Sequence, residues 1–250
     1  MSEELDVLML VADRLDAARI PYMVSGSMAM NVYAEPRMTR DIDIVVEIRS
    51  ADIEVIVAAF EQDFYCDRDM IRQAVDHRGM FNLLHSATVI KVDLIVRKDV
   101  PYRRLEFDRR RPITVDGHVI WIVAPEDLVL SKSACRGAAV NDTSPAIATL
   151  QRQLLMQRSG TERLKMGCSM FDTARALMRA GLGDETGLDR SPTMRVRLFE
   201  RTYGREFNPV AAARIVAHLL GTADVAPNIR NAEAKRSPKR SPSSLVKRQR

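Results

Sequence analysis

Three aspartates stand where their carboxylates could hold a divalent metal ion. Asp41 and Asp43 are two residues apart in the alternating segment 41–46, so a strand would place both on one face, close enough to share a cation. Asp93 lies in the apolar run 89–96, where a buried acid needs a partner. If this run forms an adjacent strand, Asp93 adds a third carboxylate, and the sequence predicts a magnesium site.

A carboxylate-held metal site of this kind points to phosphoryl transfer. Two Mg²⁺ ions roughly 3.5 to 4 Å apart can stabilise both the attacking and the leaving oxygen. Upstream, Gly26 and Ser27 break a short apolar strand before a helical segment. Gly26 lets the backbone approach an anion, and the helix N-terminus turns its free N–H groups toward it. Ser27 adds a hydroxyl donor, so this turn suits the β- and γ-phosphates of a nucleoside triphosphate.

Each feature alone also has a structural explanation. A Gly-Ser pair commonly forms an ordinary turn, and Asp-x-Asp on a strand is often a solvated edge. The combination is more specific, because it resembles the minimal signature of the DNA polymerase β-type nucleotidyltransferase superfamily. The elements that carry the resemblance are Gly26-Ser27, the Arg-x-Thr-x-Asp-x-Asp string at 37–43 and Asp93.

A narrower resemblance is to the bacterial AbiEii-type nucleotidyltransferases of abortive-infection and toxin–antitoxin systems. It rests on segments 80–99, 109–112 and 123–132, and the match as a whole covers residues 4–136. The resemblance implies that Asp41 and Asp43 bridge two Mg²⁺ ions, with Mn²⁺ as an alternative. Asp93 would bind the catalytic metal and help to activate the acceptor hydroxyl. The nucleotide-binding residues that it implies are Gly26, Ser27, Arg37 and Lys132, although Arg37 and Lys132 could equally be solvated surface residues.

The elements around these residues predict an α+β fold, with a nucleotidyltransferase-type mixed sheet and flanking helices. Helical periodicity recurs at 4–18, 28–33 and 51–61, and Pro125 opens a further helix. The predicted strands are 20–25, 41–46, a hairpin over 80–96, and a hairpin over 112–123 turned by Asp116-Gly117.

The character of the chain changes after a predicted linker at 137–145. Relatives usually continue past the Ser131-Lys132 pair into helices that cover the nucleotide and acceptor sites, whereas here the linker follows almost at once. Beyond it, segments 163–175 and 197–204 resemble small bacterial helical proteins of unknown function. We therefore expect a nucleotidyltransferase domain at 1–136 fused to a small all-α module at 146–221. Its predicted helices are 146–158, 161–181, 192–203 and 209–220, the second with an apolar stripe of Leu164, Cys168, Phe171, Ala174 and Leu177.

The positive charge of the 250-residue chain is concentrated at its end. The net charge is +5, but residues 228–250 carry +7, which leaves about −2 for 1–227, so the folded part is not a basic protein. We expect a disordered basic tail at 222–250, either a flexible arm for nucleic acid or an unstructured extension without a role. It has no aromatic residue on which bases could stack.

Cysteine usage and hydropathy predict a cytoplasmic protein. Cys66, Cys135 and Cys168 are odd in number and form no CxxC pair, which is typical of a reducing compartment, and no zinc site is evident. The acidic start does not resemble a signal peptide, and no run of 18 apolar residues suggests a membrane span.

Three functions remain open at this point. The first is an enzyme that transfers a nucleoside monophosphate from a triphosphate to a hydroxyl of an RNA, a protein or a small molecule, as a toxin–antitoxin or phage-defence component with an antitoxin partner. The second is a nucleotide- or partner-binding protein that keeps the transferase fold without catalysis. The third is nucleic-acid binding by the helical module and the basic tail. The three intact aspartates favour the first, and the missing cover favours the second.

Overall fold

A computed structural model of the chain describes residues 2–133, 145–184 and 189–221. These ranges form one mixed β-sheet with helices packed against it, so the predicted α+β class is confirmed. The helices are α1 (Glu3–Ala17), α2 (Gly26–Tyr33), α3 (Ile53–Phe60), α4 (Arg68–His77), α5 (Pro101–Asp108), α6 (Pro125–Ser133), α7 (Pro145–Met156), α8 (Gly160–Gly181), α9 (Pro192–Tyr203) and α10 (Pro209–Leu220). The strands are β1 (Tyr22–Val24), β2 (Asp41–Val46), β3 (Phe64–Tyr65), β4 (Met80–His85), β5 (Lys91–Val96), β6 (Arg111–Val115) and β7 (His118–Ile122).

The seven strands lie in the order β3-β4-β5-β2-β1-β7-β6. β2 pairs with β5, and β1 with β7, in parallel; the other pairs are antiparallel. Both predicted hairpins are present as β4–β5 and β6–β7. In the second, Asp116 and Gly117 both adopt positive φ, as a two-residue hairpin turn requires. The central strands β2 and β5 therefore run side by side in the same direction.

The last two helices begin as their sequence predicts. The hydroxyl of Ser191 accepts a hydrogen bond from the Met194 amide at 3.2 Å, and the side chain of Asn208 accepts one from the Ala211 amide at 2.9 Å. In both cases a proline occupies the first helical position, where its missing N–H costs nothing.

Helix α8 packs into the core that the sheet builds. Leu164, Cys168 and Phe171 are buried in one cluster with side chains of α1, α2 and the central strands. The predicted apolar stripe is wrong at its end, because Leu177 is 70% exposed, whereas Arg175 is only 1% exposed. Arg175 continues the buried face at helical spacing from Phe171, donates a hydrogen bond to the carbonyl of Thr88 and pairs with Glu3. The predicted positions after Phe171 advance in steps of three residues, which rotate around the helix away from its buried face.

Several predictions fall outside the described part of the chain. Of the predicted linker at 137–145, only Pro145, where α7 begins, is among the described residues. The predicted basic tail at 222–250 lies entirely outside them. The division into two domains stays a prediction. Within the described ranges, no helix combines the length and the apolar character that crossing a membrane would require.

Candidate active site

The register of the two central strands brings the predicted aspartates together. Asp43 on β2 lies directly opposite Asp93 on β5, and Asp41 lies opposite Lys91. Because alternate residues of a strand face the same side, all four of these side chains project from one face of the sheet. Asp93 is buried, while Asp41 and Asp43 are half-buried. The structure thus gathers the three aspartates on one face, as the sequence predicts.

Gly26 lies against the carboxylate of Asp43. The amide of Ser25 donates to the carbonyl of Asp43 at 2.8 Å, which extends the pairing of β1 with β2 and brings the following turn over the aspartate. Gly26 adopts φ +62°, and a Cβ placed there would lie 1.8 Å from Oδ2 of Asp43. The left-handed backbone and the close approach both require glycine. The N-terminus of α2 is consequently held directly beside the carboxylates.

The two other candidate phosphate contacts of this turn touch each other. Arg37 Nη2 donates to the hydroxyl of Ser27 at 2.6 Å, and Arg37 is exposed. A guanidinium and a hydroxyl beside a helix N-terminus are a suitable donor set for a phosphate group. Lys132 lies near the end of α6, but its side chain lies outside the described residues.

Lys91 places an ammonium group among the carboxylates. Its Nζ lies 3.2 Å from Oδ2 of Asp93, 3.4 Å from Oδ1 of Asp41 and 2.9 Å from Oε2 of Glu206. Burial lowers the pKa of Lys91, but the hydrogen bond to Glu206 and the charges of the two aspartates outweigh it, so the pKa is raised above its ordinary value. Lys91 is therefore a protonated, enclosed cation at neutral pH.

Asp41 and Asp93 differ in their hydrogen bonding. Asp93 accepts a hydrogen bond from Asn82 Nδ2 at 2.6 Å, in addition to its contact with Lys91. Asp41 Oδ1 is buried and lacks a hydrogen-bond partner among the described residues. Burial raises the pKa of Asp41, and the charges of Asp93 and Glu206 raise it further against the opposing effect of Lys91. Asp41 is thus a carboxylate that a nearby cation would stabilise.

The donor set suits Mg²⁺ or Mn²⁺ in its chemistry. It offers carboxylate oxygens, the ligands that such hard cations prefer, and Asp41 Oδ1 faces the Lys91 ammonium at 3.4 Å. Over the described ranges, however, no three carboxylate, imidazole or thiol side chains are gathered so that they could hold a metal ion as they stand. The ammonium of Lys91, within 3.4 Å of both Asp41 and Asp93, lies where these carboxylates converge.

Comparisons with known proteins give low overall similarity. No protein-family model matches the sequence, and no curated protein matches it. A Thermotoga maritima protein that carries a provisional nucleotidyltransferase name is 18% identical, with a TM-score of 0.38 over 62% of this chain and 94% of its own. An antigenic nucleotidyltransferase-like protein from Paracoccidioides brasiliensis is 16% identical, with a TM-score of 0.39 over 74% of this chain and 94% of its own. The lincosamide antibiotic adenylyltransferase LnuA in its lincomycin-bound form is 11% identical, with a TM-score of 0.37 over 67% of this chain and 99% of its own.

Sequence reasoning missed three polar residues of the site. Lys91 was foreseeable, since it is two residues before Asp93 on a strand and must share its face. Asn82 was foreseeable only with the hairpin register, which places it opposite Asp93. Glu206 carried no signal, because it lies 115 residues from Lys91 and reaches it through the fold of α9 and α10.

A buried asparagine fixes the loop that carries Arg37. Asn31 is fully buried, donates to the carbonyl of Arg37 at 3.0 Å and accepts from its amide at 2.9 Å. Gly167 of α8 lies so close that a Cβ there would be 2.0 Å from Asn31 Nδ2. Helix α8 thus takes part in positioning a candidate phosphate contact.

We expect Gly167→Ala to destabilise the protein by about 2 to 3 kcal/mol, because the new methyl group must displace Asn31 from its two hydrogen bonds. Urea denaturation measures the loss. Gly181→Ala is the matched control in the same helix, since its Cβ would meet nothing within 4 Å, and it should be neutral or slightly stabilising. Equal effects of the two substitutions would contradict the role of Gly167 in leaving room for the hydrogen bonds of Asn31.

We expect Gly26→Ala to abolish Mg²⁺-dependent thermal stabilisation, since the methyl group would displace the Asp43 carboxylate. Backbone strain alone costs about 1 to 2 kcal/mol. Gly117→Ala separates the two effects, because Gly117 has φ +88° but open space around its Cβ position. Differential scanning fluorimetry should show a lower melting temperature for both variants than for the wild type. Mg²⁺ should still raise the melting temperature of Gly117→Ala but not that of Gly26→Ala.

Proposed function

We propose that this protein is a metal-dependent nucleotidyltransferase that moves a nucleoside monophosphate from a nucleoside triphosphate to a hydroxyl group. The observation that carries the proposal is the convergence of Asp41, Asp43 and Asp93 on one face of β2 and β5, with the Gly26 turn pressed against Asp43. Three carboxylates beside a helix N-terminus combine a cation site with a phosphate site.

The residues divide the work by position. The turn at Gly26, with Ser27 and Arg37, would bind the β- and γ-phosphates and orient the α-phosphorus toward the carboxylates. The acceptor oxygen would attack the α-phosphorus. The bond between this phosphorus and the oxygen that bridges it to the β-phosphate would break, and pyrophosphate would leave. Asp93, held at Oδ1 by Asn82, would take the proton of the acceptor hydroxyl.

Asp41, Asp43 and Asp93 would hold Mg²⁺ or Mn²⁺. Such an ion, when bound, neutralises charge on the triphosphate and on the attacking and leaving oxygens. The proposal predicts that the protein transfers label from an α-³²P-labelled triphosphate to an acceptor.

Incubation with each of the four labelled triphosphates, Mg²⁺ and cell extract tests this. Label that appears in RNA, protein or a small molecule, in the wild type but not in Asp43→Asn, supports the proposal and identifies the acceptor class. Absence of transfer with all four, in the presence of either Mg²⁺ or Mn²⁺, would contradict it.

We also propose, on the AbiEii-type sequence resemblance, that the activity serves a toxin–antitoxin or phage-defence system with an antitoxin partner. Induced expression should then arrest growth of a bacterial host, and Asp43→Asn should not. Growth arrest by both proteins would separate toxicity from transfer and remove this part of the proposal.

A second candidate is a nucleotide- or partner-binding protein without catalysis. The favouring observation is the Lys91 ammonium, a positive charge that already lies within 3.4 Å of both Asp41 and Asp93. Under this alternative, triphosphate binds without Mg²⁺ and no label is transferred. Calorimetric titration with a non-hydrolysable triphosphate analogue, with and without Mg²⁺, distinguishes the two functions.

A further inference from the structure

Lys91 is enclosed by three carboxylates on different elements. Its side chain is 7% exposed, and the three oxygens around its Nζ belong to Asp41 on β2, Asp93 on β5 and Glu206 between α9 and α10. The aromatic ring of Tyr203 lies 5.6 Å from the same nitrogen. In the absence of metal, the ammonium is therefore held among these carboxylates by charge-assisted contacts.

Glu206 is fixed over the carboxylates by the helices that follow the predicted linker. Its Oε1 pairs with Arg40 at 3.0 Å, while its amide donates to the carbonyl of Tyr203 at 2.8 Å. The Tyr203 hydroxyl donates to the carbonyl of Arg40 at 2.8 Å. Glu206 therefore lies at the site whether or not Lys91 contacts it.

A divalent cation and the ammonium cannot share Asp41 and Asp93 without strong repulsion. The repulsion between two positive charges about 4 Å apart grows as their surroundings become less polar. A divalent ion repels the ammonium twice as strongly as a monovalent ion at the same distance. The ammonium must therefore withdraw from the aspartates if a metal binds to them. Glu206, already 2.9 Å from Nζ, is the carboxylate that can keep the withdrawn charge neutralised.

We propose that Lys91 is a resident counterion that competes with divalent metal for Asp41 and Asp93, and that Glu206 sets this competition by holding the displaced ammonium. The inference rests on the proposed function, since it assumes that the aspartates bind metal. Lys91 and Glu206 are positioning residues in it: Lys91 tunes the affinity for metal, and Glu206 acts only through Lys91.

The two residues have opposite effects on metal affinity. Lys91→Met keeps the length of the side chain and removes the competing charge, so Mn²⁺ should bind at least tenfold more tightly. Glu206→Gln leaves the ammonium with only the aspartates as anionic partners, so Mn²⁺ should bind three- to tenfold more weakly. In the Lys91→Met background, Glu206→Gln should change the affinity by less than twofold, because the residue through which it acts is gone.

Calorimetric titration of the full-length chain with MnCl₂ measures all four affinities. Lys98→Met and Glu200→Gln are matched controls, since each removes the same type of charge at an exposed position near the same elements. Both controls should bind Mn²⁺ as the wild type does. Thermal unfolding without metal provides a second measurement: Lys91→Met should be less stable than the wild type, and Mn²⁺ should stabilise Lys91→Met more than it stabilises the wild type.

The outcomes separate this inference from the proposed function. If neither the wild type nor Lys91→Met binds Mn²⁺, both fail. If the wild type binds Mn²⁺ through Asp43 but Lys91→Met binds no more tightly, only the competition fails. A full effect of Glu206→Gln in the Lys91→Met background would show that Glu206 acts on the metal directly, which overturns its assigned role. Should Lys91→Met not fold, Glu206→Gln still decides, because an unchanged affinity in that variant contradicts the inference.

Discussion

Asp43→Asn should lower the rate of nucleotidyl transfer by about a thousandfold, which corresponds to about 4 kcal/mol in the barrier. Asp43 is the one aspartate that lies both opposite Asp93 and against the Gly26 turn. An amide in its place lowers the affinity for Mg²⁺ and weakens the stabilisation of charge on the transferred phosphate. Mg²⁺-dependent thermal stabilisation should disappear with the activity.

The stability of the metal-free protein should change little or increase. Asp43 lies opposite Asp93 and shares the sheet face with Asp41, so we expect that removing its charge relieves repulsion among these carboxylates. The contacts of Lys91 with Asp41 and Asp93 do not involve it. Asp76→Asn, at an exposed position of α4, is the control for loss of one carboxylate and should leave transfer unchanged. An unfolded Asp43→Asn would make the residue structural, and full activity would place the chemistry elsewhere.

The local parts of this site could be predicted from the sequence. Asp41 and Asp43 share a face because strand residues alternate, and a Gly-Ser turn before a helix is visible in the residue types. The opposition of Asp43 and Asp93 was not predictable, because it depends on the parallel register of two strands about fifty residues apart. The contribution of Glu206 was even less predictable, since it depends on how α9 and α10 pack.

The same distinction between local and long-range causes holds for the fold. The capped helices α9 and α10 and the turn at Asp116-Gly117 follow from local chemistry. Two helices, α4 and α5, are not among the predicted ones. Helix α5 is short and mostly polar, but α4 carries a local signal in its capping residue Asp67 and in the helical spacing of Ile71, Ala74 and Val75. At the end of α8, Leu177 lies off the buried face by helical spacing, and the buried residue is Arg175, whose partners lie in distant segments. Among these cases, only the burial of Arg175 depends on tertiary partners.

Glu4 should make the protein less stable as the pH rises from acid to mildly alkaline values. It lies on α1, is fully buried beside α8, and burial raises its pKa from 4.5 to about 9, with a further contribution from the charge of Asp172. Between these two values the folded protein keeps a proton that the unfolded chain releases, so the free energy of unfolding falls as the pH rises. At pH 7 the cost is about 3 kcal/mol, since one pKa unit corresponds to about 1.4 kcal/mol.

Glu4→Gln should remove most of this cost, because glutamine has nearly the same shape as the protonated acid and does not ionise in the unfolded chain. We expect it to be more stable than the wild type by about 2 to 3 kcal/mol at pH 7, with the difference closing toward pH 4.5. Urea denaturation at pH 5, 6, 7 and 8 measures the two curves. Asp6→Asn, which removes an exposed carboxylate from the same first turn of α1, should run parallel to the wild type throughout. If the Glu4→Gln curve also ran parallel, Glu4 would be ionised in the folded protein, and the positive charge of Arg175, which favours that ionised form, would have to stabilise it.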